Sequence, residues 1–342
     1  MSDPKIQDFI AGRLAARAHW HPLEFAFWIA ALASIWLLPG KHLVLTEIAI
    51  LALFALSLDL ILGYAGIVSL GHAAFFGFGA YAAGLLAKHE IITEPVLAML
   101  VSGVAATLLG FVTSFLVLRG TDLTRLMVTL GIALVLREIA NRNGWLTGGA
   151  DGLQGIEMQP ILGRFRFDMF GFNGYVYCLT VLFILFLIAR RIVNSPFGLS
   201  LQSIKGNPLR ANAIGISVNA RLVAVYTLAA GYAGIAGALL TQTTSFASLS
   251  VFDFDRSADL LLVLIIGGAG YLYGGLIGAI LFKLMQDYLS ALTPQYWPFW
   301  IGLLLVVIVM VGRERITSWT GPARRLANRL DWRTRDGAGG GR

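Results

Sequence analysis

An all-α integral membrane protein with about ten transmembrane helices is the fold the sequence predicts. Two features of composition carry that expectation. Of the 342 residues, 57% are hydrophobic and only 13% charged, and mean hydropathy is +0.75. Soluble domains average roughly 45–50% apolar and about 25% charged residues. The third feature is a series of apolar runs, each close to the roughly 20 residues that one crossing needs. Together they exclude a soluble enzyme, a secreted binding protein and a disordered regulator.

The runs fall at 23–38, 43–62, 66–87, 95–118, 123–139, 174–189, 221–243, 257–292 and 297–312. Pro39-Gly40 punctuates the first, and Pro95 opens the fourth. The polar stretch before the first run is long for a signal sequence and no convincing small-x-small cleavage site follows, so 23–38 reads as an uncleaved helix. The run 257–292 is too long for one crossing. The glycine cluster Gly267-Gly268-Ala269-Gly270, followed by Gly274-Gly275, predicts a break inside it. Splitting it gives ten crossings, the eighth short.

Charge supports the split. The arm 1–22 holds three basic residues, the segment 190–221 five with no acid, and the tail 313–342 eight against three acids. Basic segments favour the cytoplasmic side, and ten crossings place all of them there with both termini. Adding Arg119 and Arg125 gives that side 18 of the 26 Lys and Arg residues. The excess of 26 basic over 19 acidic residues then reports orientation and contact with anionic membrane lipid. No basic groove interleaved with aromatics suggests nucleic acid. The opposite side carries one long loop, 140–172, of turn-forming composition, too poor in apolar residues to be a domain.

Chemistry-bearing motifs are sparse. No phosphate-cradling G-x-x-x-x-G-K-[ST] occurs, no H-E-x-x-H and no cysteine pair, since Cys178 is the single cysteine. Catalytic residues, metal ligands and a cofactor on this chain are therefore not expected. Small residues at helical spacing are common: Gly270, Gly274 and Gly278 every fourth residue, Gly231, Gly234 and Gly237 every third. Such faces allow close helix approach where lipid supplies no hydrophobic drive. The pentapeptide Gly-Tyr-Ala-Gly-Ile occurs at 63–67 and again at 231–235.

The basic segment 190–221 is the most informative. After Asn194-Ser195-Pro196-Phe197-Gly198, the residues Phe197, Leu201 and Ile204 make an apolar stripe on a helix. Asn207-Pro208 ends that helix and begins another, with Asn207 as N-cap and Pro208 at the first helical position. Leu209, Arg210 and Ala211 follow, and Gly215 closes the helix in a left-handed cap. Two short amphipathic cytoplasmic helices either lie in the headgroup layer or dock a protein.

Three stretches resemble the permease subunits of branched-chain amino acid ABC importers of the LivM type. They are 62–76 with Gly79-Ala80-Tyr81, then 195–198 running into 207–211 and 214–216, and 267–270 through 274–279. Thr147-Gly148-Gly149 with Asp151-Gly152-Leu153 is similar to that family's external loop. The resemblance implies the type II ABC importer permease fold and a role as half of an inner-membrane pathway. It also implies a homologous second permease, two cytoplasmic ATPase subunits that carry ATP and Mg, and a periplasmic substrate-binding protein. By the same resemblance, Ser195, Pro196, Phe197, Gly198, Leu201, Ile204, Asn207, Pro208, Leu209, Arg210, Ala211 and Gly215 form the ATPase-coupling region. Of the usual ABC-permease signature, Glu-Ala-Ala with a glycine four residues after the second alanine, the glycine and an alanine survive here without the acid, since Arg210-Ala211-Asn212-Ala213 precedes Gly215. Candidate pathway residues are Ser69, His72, Thr129, Glu138 and Asp59, polar groups inside apolar runs; Glu138 has Arg137 and Arg142 as local pairing options. The competing reading, a stand-alone secondary transporter, requires ion-coupling residues near the midplane, and central charged residues are few.

Overall fold

A computed structural model describes residues 22–120, 122–168 and 170–311. Within them the helices are α1 (Pro22–Leu37), α2 (His42–Asp59), α3 (Ala73–Lys88), α4 (Pro95–Val117), α5 (Asp122–Arg142), α6 (Phe172–Val193), α7 (Pro196–Gly206), α8 (Pro208–Ala213), α9 (Val218–Thr244), α10 (Phe254–Gly267), α11 (Leu272–Leu292) and α12 (Trp297–Val311). Strand-like pairing among the described residues is limited to isolated bridges, Leu153 with Ala247 and Ile161 with Phe165. The long helices α1–α6 and α9–α12 occupy the ten expected stretches. Five of them are long and apolar enough by themselves to cross a membrane: α2 with its extension to Tyr64, α4, α6, α9 and α11. The helices α1 and α3 are apolar but shorter. The basic arm and the tail 313–342 lie outside the described residues.

Glycine breaks the chain where the sequence indicates. The run 257–292 divides at Gly268–Tyr271, with Gly268 and Gly270 at positive φ of 104° and 85°. A Cβ at Gly267 would fall 1.8 Å from the Gly274 carbonyl oxygen, and one at Gly278 would fall 2.1 Å from that of Val263. The α10–α11 hairpin therefore closes backbone to backbone. Gly270 belongs to the break and not to the packing face assigned to it with Gly274 and Gly278.

The third expected crossing needs correction. No helix begins at residue 66. Helix α2 instead ends in a π-turn over Leu60–Tyr64, residues 65–72 are irregular, and α3 starts at Ala73. Hydropathy across 66–72 misses this, because the irregular stretch is apolar and buried. Its course depends on contact: a Cβ at Gly71 would lie 1.8 Å from the Thr129 carbonyl oxygen of α5.

The unit ending at Lys283 is built around α9. That helix buries Leu222, Val225, Tyr226, Ala229, Ala230 and Ala233 among others, against α4, α3 and α2. Its glycines set the distances. Cβ atoms at Gly231 and Gly234 would meet the Thr107 hydroxyl at 2.3 Å and the Ala106 Cβ at 2.2 Å on α4, and one at Gly237 would meet the Phe76 carbonyl oxygen of α3 at 1.8 Å. Gly79 returns the contact, its Cβ position 2.1 Å from the Gly234 carbonyl oxygen. The three α9 glycines thus serve two neighbours, as van der Waals packing in lipid favours. The repeated pentapeptide has two backbones: a π-turn and break at 63–67, continuous helix at 231–235.

The loop between α5 and α6 is anchored, with Leu153, Ile156 and Ile161 buried. Leu153 and Ala247 exchange backbone hydrogen bonds of 2.7 and 3.2 Å. The unit from Leu284 contains the end of α11, a turn with the Thr293 N–H on the Leu289 carbonyl at 2.8 Å, and α12, whose Phe299 and Trp300 rings meet edge-on at 5.4 Å.

Two glycine substitutions separate spacing from conformational freedom. Gly237→Ala drives a methyl into backbone and is expected to destabilise by about 1–3 kcal/mol. Gly131→Ala, with open space around its Cβ position on α5, is expected to be neutral or to stabilise by roughly 0.5 kcal/mol. Thermal unfolding in detergent reads both.

Candidate docking site and the helix breaks beneath it

Local chemistry shapes the α7–α8 hairpin. Pro196 opens α7 after Ser195, whose backbone is extended (φ −88°, ψ 169°). The tight entry from α6 needs Gly198, because a Cβ there would fall 2.0 Å from the Val193 carbonyl oxygen. Asn207 precedes a proline, which excludes helical backbone at that position. At φ −161° and ψ 105° it both ends α7 and caps α8, its Oδ1 accepting from the Arg210 N–H at 3.0 Å. Gly215 at φ 88° closes α8, and the Ile216 N–H returns to the Ala211 carbonyl at 3.1 Å. These caps match the sequence expectation.

The apolar stripe does not. Leu201 and Ile204 are 1% and 2% exposed, Phe197 is half-buried with the Arg221 guanidinium 5.3 Å over its ring, and Ala211 is buried. Assigned to partner contact, Leu201 and Ile204 instead seat the hairpin on its own bundle, since the nearest apolar surface for an amphipathic helix is that of its own protein. The outward apolar groups lie on and after α8: Leu209 at 84% exposure and Ile214 at 70%, with Arg210 exposed beside them. The surface available to a partner is therefore α8 and its cap.

Beneath the hairpin lie both helix breaks. The Lys205 ammonium at the end of α7 donates to the Gly63 carbonyl at 2.7 Å, across 142 positions of chain. Gly63 sits in the π-turn that ends α2, where carbonyls lack helical partners, and a cation at a helix C-terminus complements its dipole. Asp59, fully buried, accepts from the Gly270 N–H at 2.7 Å through Oδ1. A Cβ at Gly63 would meet Asp59 Oδ1 at 2.1 Å and Gly270 N at 2.4 Å. The α2 break and the α10–α11 break thus touch at Gly63, Asp59 and Gly270. Asp59, a candidate pathway residue, is enclosed and bonded to the glycine break.

The remaining candidate pathway residues are also placed. Ser69 and His72 are fully buried and Thr129 is 2% exposed, all inside the protomer; with Asp59, none opens onto its surface in this structure. His72 Nε2 lies 2.8 Å from the Ser57 hydroxyl, and its ring stacks on Phe54 at 10° between planes. Thr129 bonds back to the Leu126 carbonyl at 3.0 Å. His72 thus joins two segments and Thr129 satisfies its own backbone, whereas the buried Ser69 hydroxyl and His72 Nδ1 have no hydrogen-bond partner, a costly state for buried polar groups. Glu138 alone is exposed, paired with Arg142 at 2.6 Å, while Arg137 turns to Asp253 at 2.9 Å. Among the described residues no cluster of three or more metal-ligating side chains forms.

Several residues escaped the sequence reading. The Ser257 hydroxyl of α10 accepts from the Ala73 N–H at 3.0 Å and caps α3. Arg190, at the end of α6, pairs with Glu24 of α1, side chains 11% and 17% exposed. Tyr273 donates to the same Glu24 oxygen at 3.4 Å and accepts from the Trp28 indole at 3.3 Å. Glu24 inside an apolar run was the available signal, since a lone intramembrane acid demands a partner; nothing in the sequence said the partner lay 166 residues away.

Comparison with known proteins decides the family. Residues 42–311 match the family described as branched-chain amino acid transport system / permease component. The chain belongs to that family. It is 24% identical over 297 residues to the high-affinity branched-chain amino acid transport system permease protein LivM of Escherichia coli, covering 81% of this chain and 69% of that one. Identity to LivM of Salmonella typhimurium is 26% over 311 residues, 84% and 72% of the two chains. A shorter match, 28% over 171 residues, links 46% of this chain to 53% of the ribose import permease protein RbsC of Bacillus subtilis. No solved structure shows significant similarity. The protein is thus a multi-pass ABC importer permease subunit, and the secondary-transporter alternative falls away.

The ion pair at the root of the hairpin gives a test by double-mutant cycle. Glu24→Gln or Arg190→Met alone breaks a mostly desolvated ion pair and is expected to cost about 3 kcal/mol. The double variant is expected to lose markedly less than the sum of the two, measured by thermal unfolding.

Proposed function

We propose that this permease forms half of an inner-membrane pathway for branched-chain amino acids or related small polar solutes, delivered by a periplasmic binding protein. A homologous second permease supplies the other half. Two cytoplasmic ATPase subunits carry ATP and Mg, and one of them seats on α8 of this chain. Both termini face the cytoplasm.

The observation that carries the docking reading is the division of labour in the α7–α8 hairpin. Leu201, Ile204 and Ala211 hold it down while Leu209, Arg210 and Ile214 stand outward. A hairpin resting in headgroups would turn its apolar stripe to lipid; this one has spent it on its own bundle. What remains exposed is a small apolar tip next to a guanidinium, suited to a groove on a partner. Because the exposed Arg210 guanidinium stands beside that tip, the partner groove is expected to present acidic side chains.

Mechanism follows as alternating access. Nucleotide closes the ATPase dimer, the docked hairpins move, and the paired permeases exchange outward- and inward-open states. Each ligand shifts that equilibrium only by its differential affinity for the two states. The names of the relatives support the substrate class, and the RbsC match shows that similar permeases serve chemically different solutes. Selectivity on that account resides chiefly in the binding protein.

Co-purification tests the dock. When the chain is co-expressed with its neighbouring transporter genes and solubilised, two ATPase subunits are expected to accompany wild type. The Leu209→Asp/Arg210→Glu variant is expected to retain its permease partner and thermal stability yet lose the ATPases. ATPases that stay bound to a folded variant would refute α8 as the contact.

A further inference from the structure

We propose that Lys205 is a positioning residue for transport, through which movement of the docked hairpin reaches both helix breaks. The inference rests on the docking reading above and adds to it a specific connection inside this chain.

Four observations carry it. Lys205 lies two positions before Asn207, the residue shared by α7 and α8, so its backbone moves with the outward tip. Its ammonium holds the Gly63 carbonyl at 2.7 Å, and its stem runs over Gly66, whose Cβ position at φ 77° lies 3.0 Å from Lys205 Cγ. Gly63 has no slack: Asp59 Oδ1 and the Gly270 nitrogen occupy the space around its Cβ position. Gly270 is bound in turn by Asp59 at 2.7 Å. A pull on Lys205 is therefore delivered to a junction where the π-turn 60–64 that ends α2 and the break 268–271 are locked together.

Those segments are where this chain can rearrange. Continuous helix in lipid resists bending because its backbone bonds have no other partners, whereas glycine breaks allow other φ and ψ values. A close-packed junction shifts between discrete arrangements instead of deforming gradually. Lys205 is otherwise an exposed residue, and no packing of a core requires a cation at this position. A neutral residue of similar length keeps the stem on Gly66 and removes only the donor.

The test uses the assembled complex of permeases and ATPases, with Cys178 replaced by Ala and a reporter cysteine at Tyr271, which is 57% exposed beside the second break. Maleimide labelling of the reporter is measured without nucleotide and after trapping with ATP and vanadate, so no transported solute is needed. Labelling is expected to differ between the two states with Lys205 present. In Lys205→Met the ATPases are expected to remain bound and to hydrolyse ATP, while the nucleotide-dependent difference shrinks about tenfold, within the range that one coupling contact spans. Lys205→Arg, which can still donate to the Gly63 carbonyl, is expected to restore most of it. A merely structural role would lower stability without abolishing the response. Bound ATPases with a full response in Lys205→Met, or a wild-type reporter that ignores nucleotide, would overturn the coupling role while leaving the dock intact. ATPases that never bind wild type would overturn both readings.

Discussion

Backbone polar groups without helical partners are the constraint on which this structure turns. In a lipid environment each unsatisfied group costs several kcal/mol, while a satisfied one contributes only about 1 kcal/mol net. Interrupting α2 and dividing α10 from α11 exposes such groups in the middle of the chain. The structure answers by bringing the interruptions together. Asp59 takes the Gly270 N–H, Lys205 supplies the Gly63 carbonyl, and Ser257 takes the Ala73 N–H where α3 resumes. Each bond ties one helix end to a distant part of the chain, so satisfying the breaks and assembling the bundle are the same event.

That solution requires small residues around it. At Gly63, Gly71, Gly237 and Gly267 a Cβ would lie within 2.5 Å of a backbone or carboxylate atom, so these positions are spacers whose absent side chain lets backbones meet. Dispersion forces between close backbones do in the membrane what water exclusion does outside it. The pentapeptide shared by 63–67 and 231–235 shows how little the local sequence decides here. Gly231 and Gly234 face Thr107 and Ala106 across a continuous helix, whereas Gly63 faces a carboxylate and another break. The partner, more than the five residues, selects the conformation.

The legible and illegible parts of the fold divide along the same line. Hydropathy located the ten long helices, and the glycine cluster located the division near 268, because both signals are local. Asn207-Pro208 and Gly215 were legible for the same reason: a proline restricts its neighbour and a left-handed cap favours glycine wherever they occur. Residues 66–72 were not, since Ile67, Val68 and Leu70 are as apolar in an irregular segment as in a helix. The stripe of Leu201 and Ile204 announced burial without saying against what. Asp59, Ser69, His72 and Thr129 announced polarity inside the membrane, and only the fold shows them turned into the protomer. The Glu24–Arg190 and Lys205–Gly63 contacts depend on tertiary proximity that no spacing encodes.

On the docking role proposed above, the hairpin has to be stiff at its base and adhesive at its tip, and the two demands compete for the same apolar residues. An eleven-residue α7 followed by a six-residue α8 has too few for one face to serve both. The chain resolves the competition with the Asn207-Pro208 turn, which reorients the second helix relative to the first. Leu201 and Ile204 then point inward from α7 while Leu209 points outward from α8. At the base, Arg190 is tied to Glu24 of α1, four residues before Asn194-Ser195 begins the turn into α7. The hairpin is thus held by apolar burial from below, by an ion pair at its root and by Lys205 at its far end. Losing the turn would leave either a rigid hairpin with nothing to grip or an adhesive one with nothing to push against.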